Sequence, residues 1–193
     1  MNRIFPRICN WALAGLLLIL AGCANLGAPP TPIATGVDGQ PCVGALPSAV
    51  NGLNPTTNVE MLAKAQMPLH KGGVCTAAAY AVAAPVTVTV FRVYDGARPA
   101  SAYGGWWSLS RPSGSRDDYR AQNAICKAWS GLDRLVECSL KAGAEIVLGT
   151  TQSVTCDDGV EYPQTASIQV FLANDVRNNI LYVENCQELG IWP

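Results

Sequence analysis

Hydrophobic and polar positions divide the chain into three regimes. An apolar run from Trp11 to Leu20 lies near the amino terminus, with positive charge before it and small residues after it. An unpatterned stretch continues to about Gln40, and patterned segments separated by Gly and Pro turns fill the remainder. Residues 56–66 (TTNVEMLAKAQ) predict a short helix, with Thr57 and Glu60 spaced as a capping box and Pro68 as the stop. Residues 76–84 (TAAAYAVAA) fit a helix or a buried strand equally well. Val86 to Tyr94 (VTVTVFRVY) is rich in β-branched residues and predicts a strand. Trp106 to Ser110 predicts a short strand. Residues 116–130 predict a helix that starts near Ser115 or Asp117, carries Tyr119, Ile125 and Trp129 on one face and stops at Gly131. Apolar runs at 135–140, 144–149, 167–172 and 180–184 predict further strands. Helices early and strands late read as an α+β fold: short N-terminal helices followed by a mainly antiparallel, β-rich core.

The first regime has the order of a secretory signal: Arg3 and Arg7, the apolar run, then Ala21 and Gly22 before Cys23. The run is well short of the roughly 20 residues that span a bilayer. Leu20-Ala21-Gly22-Cys23 resembles the lipobox of bacterial lipoproteins. The resemblance implies cleavage of residues 1–22 and lipidation of Cys23, whose acyl chains, at about 0.8 kcal/mol per buried methylene, hold the chain on the membrane. Ala24 stands where an aspartate favours retention in the inner membrane, so the implied destination is the outer membrane, with the domain facing the periplasm or the outside. Residues 23–40, with Pro29, Pro30, Pro32 and several glycines, form a tether. Residues 41–193 form a single extracytoplasmic domain.

Charge narrows the function classes. The chain has 13 Lys+Arg against 14 Asp+Glu, and the loss of Arg3 and Arg7 leaves 11 against 14. A weakly acidic, sparsely charged domain offers no basic stripe for nucleic acid. Six cysteines follow the lipobox: Cys42, Cys75, Cys126, Cys138, Cys156 and Cys186. An even count in an oxidising compartment reads as disulfides, with fifteen possible pairings. Pairing in sequence order, Cys42 with Cys75, Cys126 with Cys138 and Cys156 with Cys186, is the expectation adopted. Without a C-x-x-C pair and with His70 the only histidine, no metal site is expected. His70 and the pairs Asp117-Asp118 and Asp157-Asp158 read as solvated loop residues rather than a triad or a carboxylate pair.

One strand position stands out. Parity puts Val86, Val88, Val90, Arg92 and Tyr94 on one face, so Arg92 continues an apolar row. An unpaired guanidinium there costs several kcal/mol unless it reaches water, an acid or a ligand anion. Its planar fork suits a carboxylate or phosphate. Later, Ser167 and Gln169 share a face opposite Ile168, Val170 and Leu172, an alternation that a pocket or solvent satisfies, solvent being the commoner outcome. Trp106, Trp107, Trp129 and Trp192 read first as core aromatics and second as a ring platform.

Three segments together resemble the conserved regions of ADP-ribosyltransferase toxins of the cholera and pertussis type. Val90-Phe91-Arg92-Val93-Tyr94-Asp95, followed by Ala97-Arg98-Pro99, is similar to the opening strand whose arginine contacts NAD. Trp107-Ser108-Leu109-Ser110 is similar to the Ser-Thr-Ser strand, with Leu109 in place of the threonine. Tyr162-Pro163-Gln164 through Ser167-Ile168-Gln169-Val170 is similar to the strand of the catalytic glutamate, and carries Gln169 at that place. The resemblance implies an ADP-ribosyltransferase-like fold with NAD as substrate rather than cofactor. Arg92 would clamp the pyrophosphate or ribose, Trp107, Ser108 and Ser110 would order the pocket, and Gln169 would orient water. Glu161 is the alternative acid if the match shifts. A neutral amide supplies no charge to an oxocarbenium-like ribose, so a non-catalytic, disulfide-stapled envelope or binding module stands as the alternative.

Overall fold

The computed structural model describes residues 34–193; the signal segment, Cys23 and the greater part of the expected tether lie outside the described residues. Ten strands and two helices follow in the order β1 (Leu53–Thr56), α1 (Val59–Gln66), β2 (Val74–Val82), β3 (Thr89–Tyr94), β4 (Trp106–Trp107), α2 (Arg116–Asn123), β5 (Arg134–Leu140), β6 (Glu145–Thr151), β7 (Val154–Thr155), β8 (Glu161–Tyr162), β9 (Thr165–Phe171) and β10 (Val183–Ile191). Every strand pair is antiparallel, and the class is α+β with a β-rich core. The helices do not precede the sheets: β1 comes before α1, and α2 interrupts the strands halfway.

A five-stranded sheet runs β1-β2-β6-β9-β4, and a three-stranded sheet runs β10-β5-β3. Period-2 alternation sorts their residues into layers. Ile146 and Leu148 of β6, Val170 of β9, Val90 and Tyr94 of β3, and Val136 and Leu140 of β5 share one core between the sheets. Val147, on the other face of β6, packs with Met61 and Ala65 of α1. Leu135 and Val93, on the other face of the smaller sheet, pack with Tyr119 of α2 and Trp192. The sheets are joined at one edge, where Phe91 N–H donates to the Ser108 carbonyl (2.9 Å) and Ser108 N–H to the Phe91 carbonyl (2.8 Å).

Several local expectations change. Residues 76–84 fall in or just beyond β2, a strand because both of its faces are covered. The first helix is capped by Asn58, whose Oδ1 accepts from Met61 N–H at 2.9 Å, and Glu60 reaches forward to Lys64 rather than back to Thr57. The second helix ends at Asn123, because Ala124 turns left-handed (φ 50°, ψ 52°). Trp129 therefore leaves the face it would share with Tyr119 and lies 42% exposed on a 3-10 turn, Lys127–Trp129.

Two of the three expected disulfides are wrong. Cys42 pairs with Cys75, but Cys126 pairs with Cys156 and Cys138 with Cys186. The reason is strand topology: Cys138 is an inward residue of β5, and the adjacent β10 carries Cys186 at an irregularity between Glu184 and Gln187. Cys126, just beyond α2, packs with Val154 and Cys156 of the β7–β8 hairpin. The bridges close separations of 33, 30 and 48 residues.

The folded domain takes in the end of the expected tether. Cys42 N–H donates to the Ala34 carbonyl, and Asp38 is bound to the body. Its carboxylate accepts both contacts of Gln164 Nε2 (3.0 and 3.0 Å), Ser153 Oγ (2.7 Å) and Gln40 N–H (3.0 Å). Desolvation by burial pushes the Asp38 pKa up, but the bonds from Gln164, Ser153, Gln40 and Gln152 outweigh it and hold it well below the usual carboxylate range.

A folded pKa below the unfolded one contributes stability above the unfolded value, at about pH 4, and that contribution fades as the pH falls toward the folded value. Asp38→Asn is therefore expected to lower the urea midpoint at pH 7, with the gap to wild type shrinking below pH 4. Non-reducing peptide mapping should join Cys126 to Cys156. Replacing that pair by serines should cost about 2–5 kcal/mol in denaturant unfolding.

Candidate functional site

The edge joining the two sheets also makes a cavity of about 290 Å³. Phe91 and Ser108 form the bridge, so their neighbours Arg92, Trp106 and Trp107 are brought to it from different strands. Gln169 reaches it from β9, and Tyr119 and Asn123 from α2. The Cys126–Cys156 bridge and the buried Arg120 shape the lip, residues 124–132. Arg120 donates to the carbonyls of Cys126 (3.3 Å) and Ser130 (2.6 Å). Hydrogen bonds from a cation to carbonyls satisfy its donors without neutralising it.

Arg92 is half-buried on the face that parity assigns it. Its Nε donates to the Ser101 carbonyl (2.7 Å) and Nη1 to the Trp106 carbonyl (2.5 Å). Among the described residues it makes no ion pair. Desolvation by burial pulls its pKa down to about 10, against a weaker upward pull from Tyr119. At neutral pH it stays charged, with Nη2 making no protein hydrogen bond among the described residues. Gly104 makes room for it: a Cβ there would overlap the guanidinium.

Gln169 is 6% exposed, so the commoner expectation of a solvent-facing glutamine is overturned by α2 lying over β9. Its Nε2 donates to the Asn123 carbonyl (3.2 Å) and Thr151 Oγ1 (2.8 Å). Thr151 Oγ1 itself donates to the Ser167 carbonyl (3.1 Å), so it can only accept from Gln169, which fixes the amide orientation. Both amide hydrogens are used, and Oε1 is the group left for a ligand. Tyr119 Oη lies 3.4 Å from Ser108 Oγ. Desolvation by burial raises the Tyr119 pKa more than Ser108 and Arg92 lower it, so the phenol keeps its proton and can donate.

Of the five residues to which the resemblance gives a role at NAD, the cavity joins three, Arg92, Trp107 and Gln169, and it adds Trp106 and Trp129 of the tryptophans. Ser108 and Ser110 instead line an adjoining cleft with Arg111 and Ser167, and Tyr119 and Asn123 border both. Glu161 is exposed on β8 and lines neither space. His70 is an exposed loop residue whose Nδ1 lies 3.0 Å from Thr155 Oγ1. The cavity wall also includes Lys71, which the sequence reading passed over; no pattern distinguishes it from a solvated lysine. Tyr119 was legible as an inward helix residue, but its place at the site depends on the helix ending at Asn123.

Backbone strain gathers here. Six non-glycine residues among those described have positive φ, and three of them, Met67 (50°), Ala124 (50°) and Leu132 (51°), line the cavity. Such conformations cost on the order of 1–3 kcal/mol each and persist where surrounding structure enforces them. The cavity walls are therefore held in place before any ligand arrives. No protein-family model, curated protein or solved structure matches this chain.

Gly104→Ala should push the guanidinium off the Ser101 and Trp106 carbonyls and cost about 1–3 kcal/mol. Thermal unfolding measures the cost, and the Arg92 side-chain nitrogen resonances report the displacement.

Proposed function

We propose that this chain is a membrane-anchored bacterial lipoprotein, tethered through Cys23 in the outer membrane, whose extracytoplasmic domain binds a small anionic ligand in the cavity between the two sheets. The observation that carries this reading is the uncompensated charge of the cavity. Arg92 and Lys71 line it, and no carboxylate, imidazole or thiol does. A half-buried cation with no acid beside it gains from an anion that replaces lost hydration. The apolar and aromatic walls suit a ligand with a hydrophobic body, in the usual manner of small-molecule sites. With no carboxylate or imidazole to move a proton, capture of the ligand is the role the chemistry favours.

A second reading is that the domain has an ADP-ribosyltransferase-like fold and cleaves the nicotinamide–ribose bond of NAD. Its support is that Arg92, Trp107 and Gln169 share one cavity. In that case Arg92 holds a phosphate or ribose oxygen. The Gln169 carbonyl oxygen, the free end of its amide, orients the attacking water. Ser108 and Ser110 line the neighbouring cleft rather than this cavity, which weighs against this reading.

Iodide quenching of tryptophan fluorescence tests the anion site, because Trp106, Trp107 and Trp129 line the cavity. In the full lipoprotein in nonionic detergent, iodide should quench more strongly than caesium. Lys71→Gln should narrow that difference while leaving acrylamide quenching unchanged. Equal quenching by the two ions would overturn the reading. For the second reading, nicotinamide release from NAD should exceed that of an Arg92→Ala/Gln169→Ala control; equal rates remove it. Cys23→Ser should abolish palmitate labelling and move the protein out of the membrane fraction.

A further inference from the structure

Resting on the anion-binding reading, the geometry points to a narrower ligand class: we infer that the cavity takes a planar aromatic carboxylate bearing a hydrogen-bond donor beside the carboxylate. Four features of the site converge on it, and each removes an alternative.

Charge comes first. Arg92 has Nε and one Nη1 hydrogen on backbone carbonyls and Nη2 against Gly104, so its uncompensated charge is what it offers a ligand. Lys71, exposed at the same cavity, supplies the second positive group. A carboxylate balances this charge, whereas a neutral ring leaves Arg92 uncompensated. Gln169 then sets the neighbouring substituent. Its two amide hydrogens are committed to Asn123 and Thr151, so it presents only an acceptor. A second carboxylate oxygen there would face the Oε1 lone pairs; an N–H or O–H would meet them.

Shape and size supply the rest. Trp107 from the strand, Tyr119 from the helix and Trp129 from the lip line the cavity, while the Trp106 ring packs on Phe171 with centroids 4.9 Å apart; this aromatic lining favours a flat apolar body over a saturated one. The volume of about 290 Å³ sits at the small end of ligand pockets. One ring, or two fused rings, fills it. The walls are rigid because the strained residues Met67, Ala124 and Leu132, the Cys126–Cys156 bridge and the Arg120 contacts hold them. A pre-built slot avoids the ordering cost that a loop closing over the ligand would carry.

Ortho-aminobenzoate is the direct probe, since it has the plane, the carboxylate and the adjacent N–H, and it accepts excitation energy from tryptophan. Calorimetric titration into the full lipoprotein in nonionic detergent should show one-to-one binding with energy transfer from the cavity tryptophans. Benzamide, which lacks the charge, and cyclohexanecarboxylate, which lacks the plane, should each bind at least about tenfold more weakly, and benzoate should fall between them and the probe. Lys71→Gln should weaken both aromatic carboxylates about tenfold and leave benzamide unchanged. Gln169→Leu should erase the preference for ortho-aminobenzoate over benzoate. Equal binding of benzamide and ortho-aminobenzoate would overturn the inference. So would no binding of any aromatic carboxylate while iodide still quenches selectively, a result that leaves the anion site standing and rejects only this ligand class.

Discussion

The pair of backbone hydrogen bonds between Phe91 and Ser108 joins the edge of the three-stranded sheet to the strand that closes the five-stranded one. Each sheet has apolar residues to bury, and the shared core of Val90, Val136, Ile146, Leu148 and Val170 satisfies that requirement only when the sheets face each other. Joining them along one edge leaves a corner that side chains cannot fill evenly. Arg92 follows directly after the bridge on one strand, and Trp107 precedes it on the other. The position of the cavity, and of the charge inside it, is a consequence of that joint.

The corner then had to be satisfied chemically. The Arg92 guanidinium crosses it and takes the carbonyl of Trp106 at the sheet edge and that of Ser101 on the 3-10 turn Pro99–Tyr103, which also accepts from Gly104 N–H. Gly104 permits the crossing. Its fork is committed in this way to carbonyls, with Nη2 against Gly104, and among the described residues no acid pairs with it. Arg120 solves a similar problem in the lip, with carbonyls alone as partners. Two buried or half-buried cations held by backbone are costly in stability. That cost is consistent with a site kept for binding and with a domain stapled by three disulfides.

Alternation was the legible part of the fold. Val88, Val90 and Tyr94 are buried as the period-2 pattern requires, and Arg92 continues their row. The later strands were visible as apolar runs, although β10 extends past Val183 through polar residues that its pattern hid. Less legible were features that depend on three-dimensional neighbours. The strand fate of residues 76–84 follows from cover on both faces, which a local window cannot see. The pairing of Cys138 with Cys186 follows from β5 and β10 being adjacent, a long-range fact. Gln169 lies buried because α2 ends at Asn123 and sits over β9, and nothing in the 116–130 pattern marks Ala124 as a left-handed cap. At the site, residue types pointed to Arg92 and Gln169, whereas Lys71 and the division between cavity and serine cleft came only with coordinates.

A crystal of the protein soaked in bromide, read by anomalous scattering, tests most directly whether the joint between the sheets makes an anion site. The account predicts a bromide peak inside the cavity, beside Arg92 and Lys71. Bromide confined to the outer surface, or a carboxylate found already paired with Arg92, would contradict it.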